Sequence, residues 1–141
     1  MILYAESSSV LAWLLGEVTA DAVQSGLSSA ELVIASDLTL VECDRVLHRG
    51  TVTGDLSEAD AAGRRAILSR ATAHWILFRL EGEVIERARR PFPIEPIRSL
   101  DALHLATALL VRSLVPDLRL LTLDQRVRDN GAALGFELLP E

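Results

Sequence analysis

At 141 residues, half of them hydrophobic and with a mean hydropathy of +0.29, the chain suits one domain, residues 1–141, around a single buried core. No uninterrupted apolar run approaches the roughly 20 residues that cross a bilayer. The opening segment has no basic start and carries Glu6 early, so neither a membrane span nor a signal peptide is expected, and a cytoplasmic protein is. A net charge of −6 and a pI near 5.1 argue against indiscriminate nucleic-acid binding, and the lone cysteine, Cys43, excludes an internal disulfide or a multi-cysteine zinc site.

Strand-like and helix-like stretches alternate along the chain, the pattern of an α/β fold with a parallel sheet. Residues 2–5 read as a buried strand and 8–15 as an apolar helix. Residues 19–29 form a second helix opened by Thr19, and 31–34 a second strand. Ser36 or Asp37 caps a helix that runs to about Arg49 and is ended by Gly50 and the Thr51-to-Gly54 turn. The Ser57-x-x-Asp60 spacing resembles a capping box and opens a helix to about Ala73. A strand over 75–78 and a helix stopping at Pro91 follow, then the rigid connector Pro91-Phe92-Pro93-Ile94-Glu95-Pro96. Ser99 caps a helix from Leu100 to about Leu114, apolar almost all round and so expected to be central. Strand 118–122, a helix from Gln125 to about Leu134 closed by Gly135, and strand 136–139 complete the series.

Four of the acidic residues stand where a solvated charge does not belong. Glu6 and Asp124 each follow a predicted strand, and ligands of open α/β sheets collect beyond the carboxyl ends of parallel strands. Helix capping is the competing reading for both. Glu42 lies within a mostly apolar helical face, with an ion pair to Arg45 as its competing explanation. Asp101 begins the most apolar helix of the chain, where a charge on the helix dipole is the plainer account. Unpaired buried carboxylates cost several kcal/mol or become protonated. If the fold gathers these four, a hard divalent cation such as Mg²⁺ or Mn²⁺ resolves the conflict, because such ions select oxygen ligands. A carboxylate-held Mg²⁺ with open water positions suits phosphoryl chemistry.

The stretches "YAESS", "LTLVECDRVLHR", "LDALHLATAL" and "LLTLDQRVRDNGAALGFELL", in this order and spacing, resemble the PIN-domain nucleases, and within them the VapC-type toxins of bacterial toxin–antitoxin pairs. The resemblance runs the whole length. It implies a three-layer α/β/α fold on a central parallel sheet and a Mg²⁺- or Mn²⁺-dependent endoribonuclease. The family's metal-site and catalytic acids fall on Glu6, Glu42, Asp101 and Asp124, with its supporting hydroxyls on Ser8 and Thr122. An RNA substrate, a cognate antitoxin that covers the active site and a homodimer are the implied partners. One residue departs from the pattern: the family's first acid is usually Asp, and here it is Glu6. That departure sustains an alternative, a catalytically weak or inactive PIN-like module that regulates by complex formation.

His104 lies one turn after Asp101, and a hydrogen bond to a neighbouring carboxylate explains it more simply than a metal bond. Arg45, Arg49, Arg64, Arg65 and Arg70 fall on two successive helices; a solvated face is the simpler reading and an RNA track the sharper one. Trp13 and Trp75 read as core or interface aromatics, and Cys43 as a buried structural thiol.

Overall fold

Ile2–Ala5 form the first strand, β1, and it lies in the middle of the sheet. The computed structural model describes residues 1–141. After β1 come α1 (Ser7–Leu15), α2 (Ala20–Ser29), β2 (Leu32–Ser36), α3 (Asp37–Thr53), α4 (Glu58–Thr72), β3 (Ile76–Phe78), α5 (Gly82–Ala88), α6 (Ser99–Leu114), β4 (Arg119–Leu121), α7 (Gln125–Ala133) and β5 (Glu137–Leu139). The strands are ordered β3-β2-β1-β4-β5 and every neighbouring pair is parallel. The chain builds outward from β1 to β3, then crosses back and continues on the other side of β1 with β4. The β1–β4 boundary is therefore the topological switch point, where a crevice opens beyond the carboxyl ends of the strands.

Alternation along each strand divides the core in two. Tyr4, Ile34 and Leu120 point to a cluster with Ala102, Leu105, Ala106, Val111, Val127 and Phe136, which is the α5–α6–α7 side of the sheet. Leu3, Ala5, Val33 and Leu121 point to the opposite cluster with Val10, Val23, Cys43 and Leu68, contributed by α1 to α4. The result is the expected three-layer α/β/α arrangement. Burial, with Glu42 adding to it, pushes the Cys43 thiol up to about 12, so it is the inert structural thiol the sequence suggests. Trp13 and Trp75 pack against the α1–α4 cluster, and Trp13 Nε1 donates to Gln24 at 3.0 Å. No helix is long and apolar enough to cross a membrane.

Several expected boundaries move for physical reasons. Of the expected terminators of α3, Gly54 ends the helix and Gly50 does not. The helix runs on to Thr53 and stops at Gly54, whose φ of 82° lies in the left-handed region that side chains disfavour. Gly50 is small for another reason: a Cβ there would meet Leu56 Cδ1 at 2.8 Å, where the chain folds back after the helix. Ser36, not Asp37, caps α3 by accepting from Leu38 N–H. Ser57 caps α4 through Asp60 N–H, as its spacing suggests, whereas Thr19 reaches the cap position of α2 without a side-chain bond. Ser99 is not the cap of α6 but its first residue, and the cap position belongs to Arg98, which makes no capping hydrogen bond.

Candidate active site

The three consecutive serines after Glu6 each fasten a different part of the crevice. Ser9 Oγ donates toward the backbone carbonyls of Glu6 and Leu121, pinning the start of α1 across the ends of β1 and β4. Ser8 N–H donates to Glu6 Oε1 at 3.1 Å, so Glu6 does cap α1. Its other oxygen, Oε2, takes hydrogen bonds from Ser8 Oγ and from Thr122 Oγ1, the latter at 2.7 Å. Ser8 Oγ also accepts from the backbone N–H groups of Leu123 and Asp124, tying the loop after β4 to the loop after β1. Glu6 is 4% exposed. Capping and membership of the site are thus not rival roles for this residue; the cap fixes the carboxylate at the strand end.

Ser7 faces the other way, into α3 and α6. Its Oγ donates to Glu42 Oε1 at 2.8 Å and lies 2.9 Å from His104 Nε2. Tyr4 OH sits 2.9 Å from His104 Nδ1, and His104 Nε2 lies 2.6 Å from Glu42 Oε1. Burial, reinforced by the nearby Glu6 charge, pushes the Tyr4 phenol well above its usual range, so it keeps its proton and donates to Nδ1. The imidazole then carries its own hydrogen on Nε2 and gives it to Glu42. Burial pushes the Glu42 carboxyl up, but the hydrogen bond from His104, with help from Ser7 and the Arg98 charge, outweighs it and holds Glu42 below the usual carboxylate range. The pair that the sequence offered for Glu42 does not form: Arg45 is exposed, and Glu42 is held by Ser7 and His104. His104 Nε2 is also 3.9 Å from Glu6 Oε1, so one ring stands against both glutamates.

Asp101 and Asp124 share a different partner. Asp124 Oδ1 accepts from Arg126 and Val127 N–H groups, capping α7, which leaves Oδ2 free of that duty. Arg98 Nη2 donates to Asp124 Oδ2 at 3.0 Å, and its Nε donates to Asp101 Oδ2 at 3.1 Å. Asp101 is 5% exposed, in the first turn of α6, where a negative charge also suits the helix dipole. In this arrangement no three His, Cys, Asp or Glu side chains converge tightly enough to hold an ion between them. The acids stand instead as two linked pairs, Glu6 with Glu42 and Asp101 with Asp124.

All six residues singled out from the sequence therefore lie at the same end of the sheet, contributed by the β1–α1 junction, the loop after β4, and α3 and α6. Three contributors escaped that reading. Arg98 was hidden beside Ser99, which looks like the helix cap. Ser7 is one of three serines that look alike in a sequence. Tyr4 reads simply as strand core. The expected arginine track is partly spent on structure: Arg65 pairs with Asp44 at 3.2 Å, and Arg64 donates to the Leu14 carbonyl at the end of α1.

Comparison with known proteins places the chain in a family. The PIN domain model matches residues 3–132. Ribonuclease VapC46 of Mycobacterium tuberculosis is 34% identical over 139 residues, covering 97% of this chain and 95% of that protein. Ribonuclease VapC35 of the same species is 29% identical over 140 residues, covering 98% and 96%. Two solved structures share the fold. M. tuberculosis VapC20, a Sarcin-Ricin loop cleaving toxin, superposes with a TM-score of 0.66 at 16% identity, covering 95% of both chains. VapBC2 from Rickettsia felis, bound to a DNA fragment from its promoter, gives 0.64 at 9% identity, covering 98% and 97%. The chain belongs to the PIN-domain family, and within it to the VapC-type ribonucleases.

Proposed function

We propose that this chain is the endoribonuclease toxin of a toxin–antitoxin pair, acting as one unit over residues 1–141 with Glu6, Glu42, Asp101 and Asp124 as its metal-holding and catalytic acids. The observation that carries the reading is that two carboxylate pairs from four separate elements, Glu6 with Glu42 and Asp101 with Asp124, lie at the same end of the sheet beside its switch point. Their chemistry fits a hard divalent ion: every candidate donor is a carboxylate oxygen, with no sulfur and with the one nearby imidazole already engaged by Tyr4 and Glu42. Mg²⁺ or Mn²⁺ held there supplies polarisation of the scissile phosphate and acidification of a bound water. The chain's own residues hold the acids still. Ser8 and Thr122 fix Glu6, His104 and Ser7 fix Glu42, and the α7 cap fixes Asp124.

RNA is the substrate that follows from kinship with the ribonucleases, and a cognate antitoxin the partner that follows from membership of the VapC type. A homodimer in the cytoplasm accords with apolar side chains left on the outside, among them Val52, Ile76 and Leu114. The purified protein is expected to cleave single-stranded RNA with Mg²⁺ or Mn²⁺ and to stop in EDTA; undiminished cleavage in EDTA would rule out the metal mechanism.

One observation favours the second reading, a module that binds without cutting: both Glu6 oxygens are occupied by Ser8 and Thr122. Two substitutions separate the cases. If Glu6 is a ligand, Glu6→Asp keeps cleavage and Glu6→Gln loses Mn²⁺ affinity and cleavage together, because a neutral amide is a poor ligand for a hard ion. If Glu6 is only a cap, Glu6→Gln changes stability by about 1 kcal/mol or less and leaves cleavage alone.

A further inference from the structure

Arg98 stands in an unfavourable place for an arginine. It occupies the cap position of α6, at the positive end of the helix dipole, and makes no capping hydrogen bond there. What holds it is the fork of its guanidinium, with Nε on Asp101 and Nη2 on Asp124. A planar fork of this kind is suited to spanning two carboxylates at once. The side chain is nevertheless 62% exposed, whereas that of Asp101 is 7% exposed. The cation is on the outside of the acids, free to leave into water.

Its backbone is not free. The connector before it is fastened by Asn130, a fully buried side chain on α7 that accepts from Ile94 N–H and donates to Ile94 C=O. Glu95 accepts from the N–H groups of Phe92 and Ile97. A fixed backbone with a solvated side chain lets the guanidinium exchange without moving the crevice.

We infer that Arg98 is a built-in stand-in cation: it neutralises Asp101 and Asp124 when no metal is bound, and a divalent ion must displace it to load the site. The inference rests on the four-acid metal centre proposed above. It follows that Arg98 sets the metal affinity of the enzyme, keeping the apo site assembled at the expense of tighter loading. Glu42 is near enough to add to the field on the same guanidinium, so three of the four acids feel the exchange.

The test is Mn²⁺ titration of the metal-stripped full chain by calorimetry, without RNA, together with thermal unfolding of the apo and Mn²⁺-loaded forms. Arg98→Met is expected to tighten Mn²⁺ binding by roughly three- to thirtyfold, the range that two solvent-screened ion pairs allow. Its apo form is expected to unfold at a lower temperature than wild type, and its Mn²⁺-loaded form at the same temperature. Arg98→Lys keeps the charge but lacks the fork, so its affinity falls between the two; it also serves if the methionine variant folds poorly. Wild-type binding that depends on Asp101 but is equal or weaker in both Arg98 variants overturns this inference alone. Absence of Mn²⁺ binding from wild type and every variant overturns the metal centre and the inference with it.

Discussion

The two carboxylate pairs of the site are stabilised in opposite ways. Glu6 and Glu42 are held by donors from the interior of the domain: hydroxyls of Ser7, Ser8 and Thr122 and the ring of His104, which is itself held by Tyr4. Asp101 and Asp124 are joined by one exposed guanidinium. The first pair is bonded to groups that have nowhere else to go, since their burial makes an unmade hydrogen bond expensive. The second is bonded to a group for which water is an equal alternative. One half of the site is therefore a fixed floor and the other an exchangeable lid of charge.

The sharpest way to break this contrast is at Asp101, the buried member of the exchangeable pair. Asp101→Asn is expected to lower RNA cleavage by about a thousandfold or more, since loss of a metal-held charge removes several kcal/mol of transition-state stabilisation. Its stability is expected to change by about 1 kcal/mol or less, because the lost ion pair is solvent-screened and repulsion among the acids is relieved. Cleavage assays with saturating Mn²⁺, alongside urea unfolding, check both halves; wild-type cleavage would reduce Asp101 to a helix-dipole charge.

In the fixed pair the decisive residue is His104. His104→Ala leaves Tyr4 without an acceptor and Glu42 without its main donor. Metal affinity or activity is expected to fall by about 10- to 100-fold, and stability by about 1–3 kcal/mol. This combination distinguishes the halves: substitution on the floor damages fold and function together, whereas Asp101→Asn damages function alone.

The smallest expected effect is a pH dependence. Glu42 is held below the usual carboxylate range by His104, Ser7 and Arg98 against the opposing push of burial. Its folded-state pKa is thus depressed, and its ionised form contributes stability that is complete above the unfolded value near 4.3. That contribution is lost as pH falls through the lower folded value. In EDTA, the stability gap between wild type and Glu42→Gln is expected to be constant near neutrality and to narrow as the pH drops below about 4.3. Urea midpoints across that range read it directly, and a gap indifferent to pH would mean the internal donors do not favour the carboxylate.

The legibility of the molecule in its sequence follows the same division. The strands and helices were readable because apolar periodicity and strand–helix alternation reflect burial, which the sheet then enforces; every predicted element is present, with ends displaced by a few residues. The four acids were readable because a charge amid apolar neighbours is a conflict visible in one dimension. Their holders were legible only in part: the family resemblance pointed to Ser8 and Thr122, and His104 was expected beside a carboxylate, but Ser7, Tyr4 and Arg98 were missed. Nothing local connects Tyr4 to His104 or Ser8 to Thr122, pairs 100 and 114 residues apart that meet only when the strands line up. Arg98 was obscured by local logic itself, since Ser99 looks like the better cap and only the acids in space explain why arginine holds that position. Gly50 misled for a related reason: it was read as a breaker, while its smallness serves the contact with Leu56.

The pairing of β1 with β4 carries a consequence for when the site becomes complete. Glu6 is among the first residues made, yet the hydroxyl that completes its hydrogen bonds, Thr122, comes 116 residues later. Until β4 slides in beside β1, the emerging polypeptide holds its first acid with no crevice around it. A ribosome making this protein therefore carries an incomplete site through most of the chain's synthesis. The crevice is completed late, and anything that recognises it in its folded form can do so only after β4 is in place.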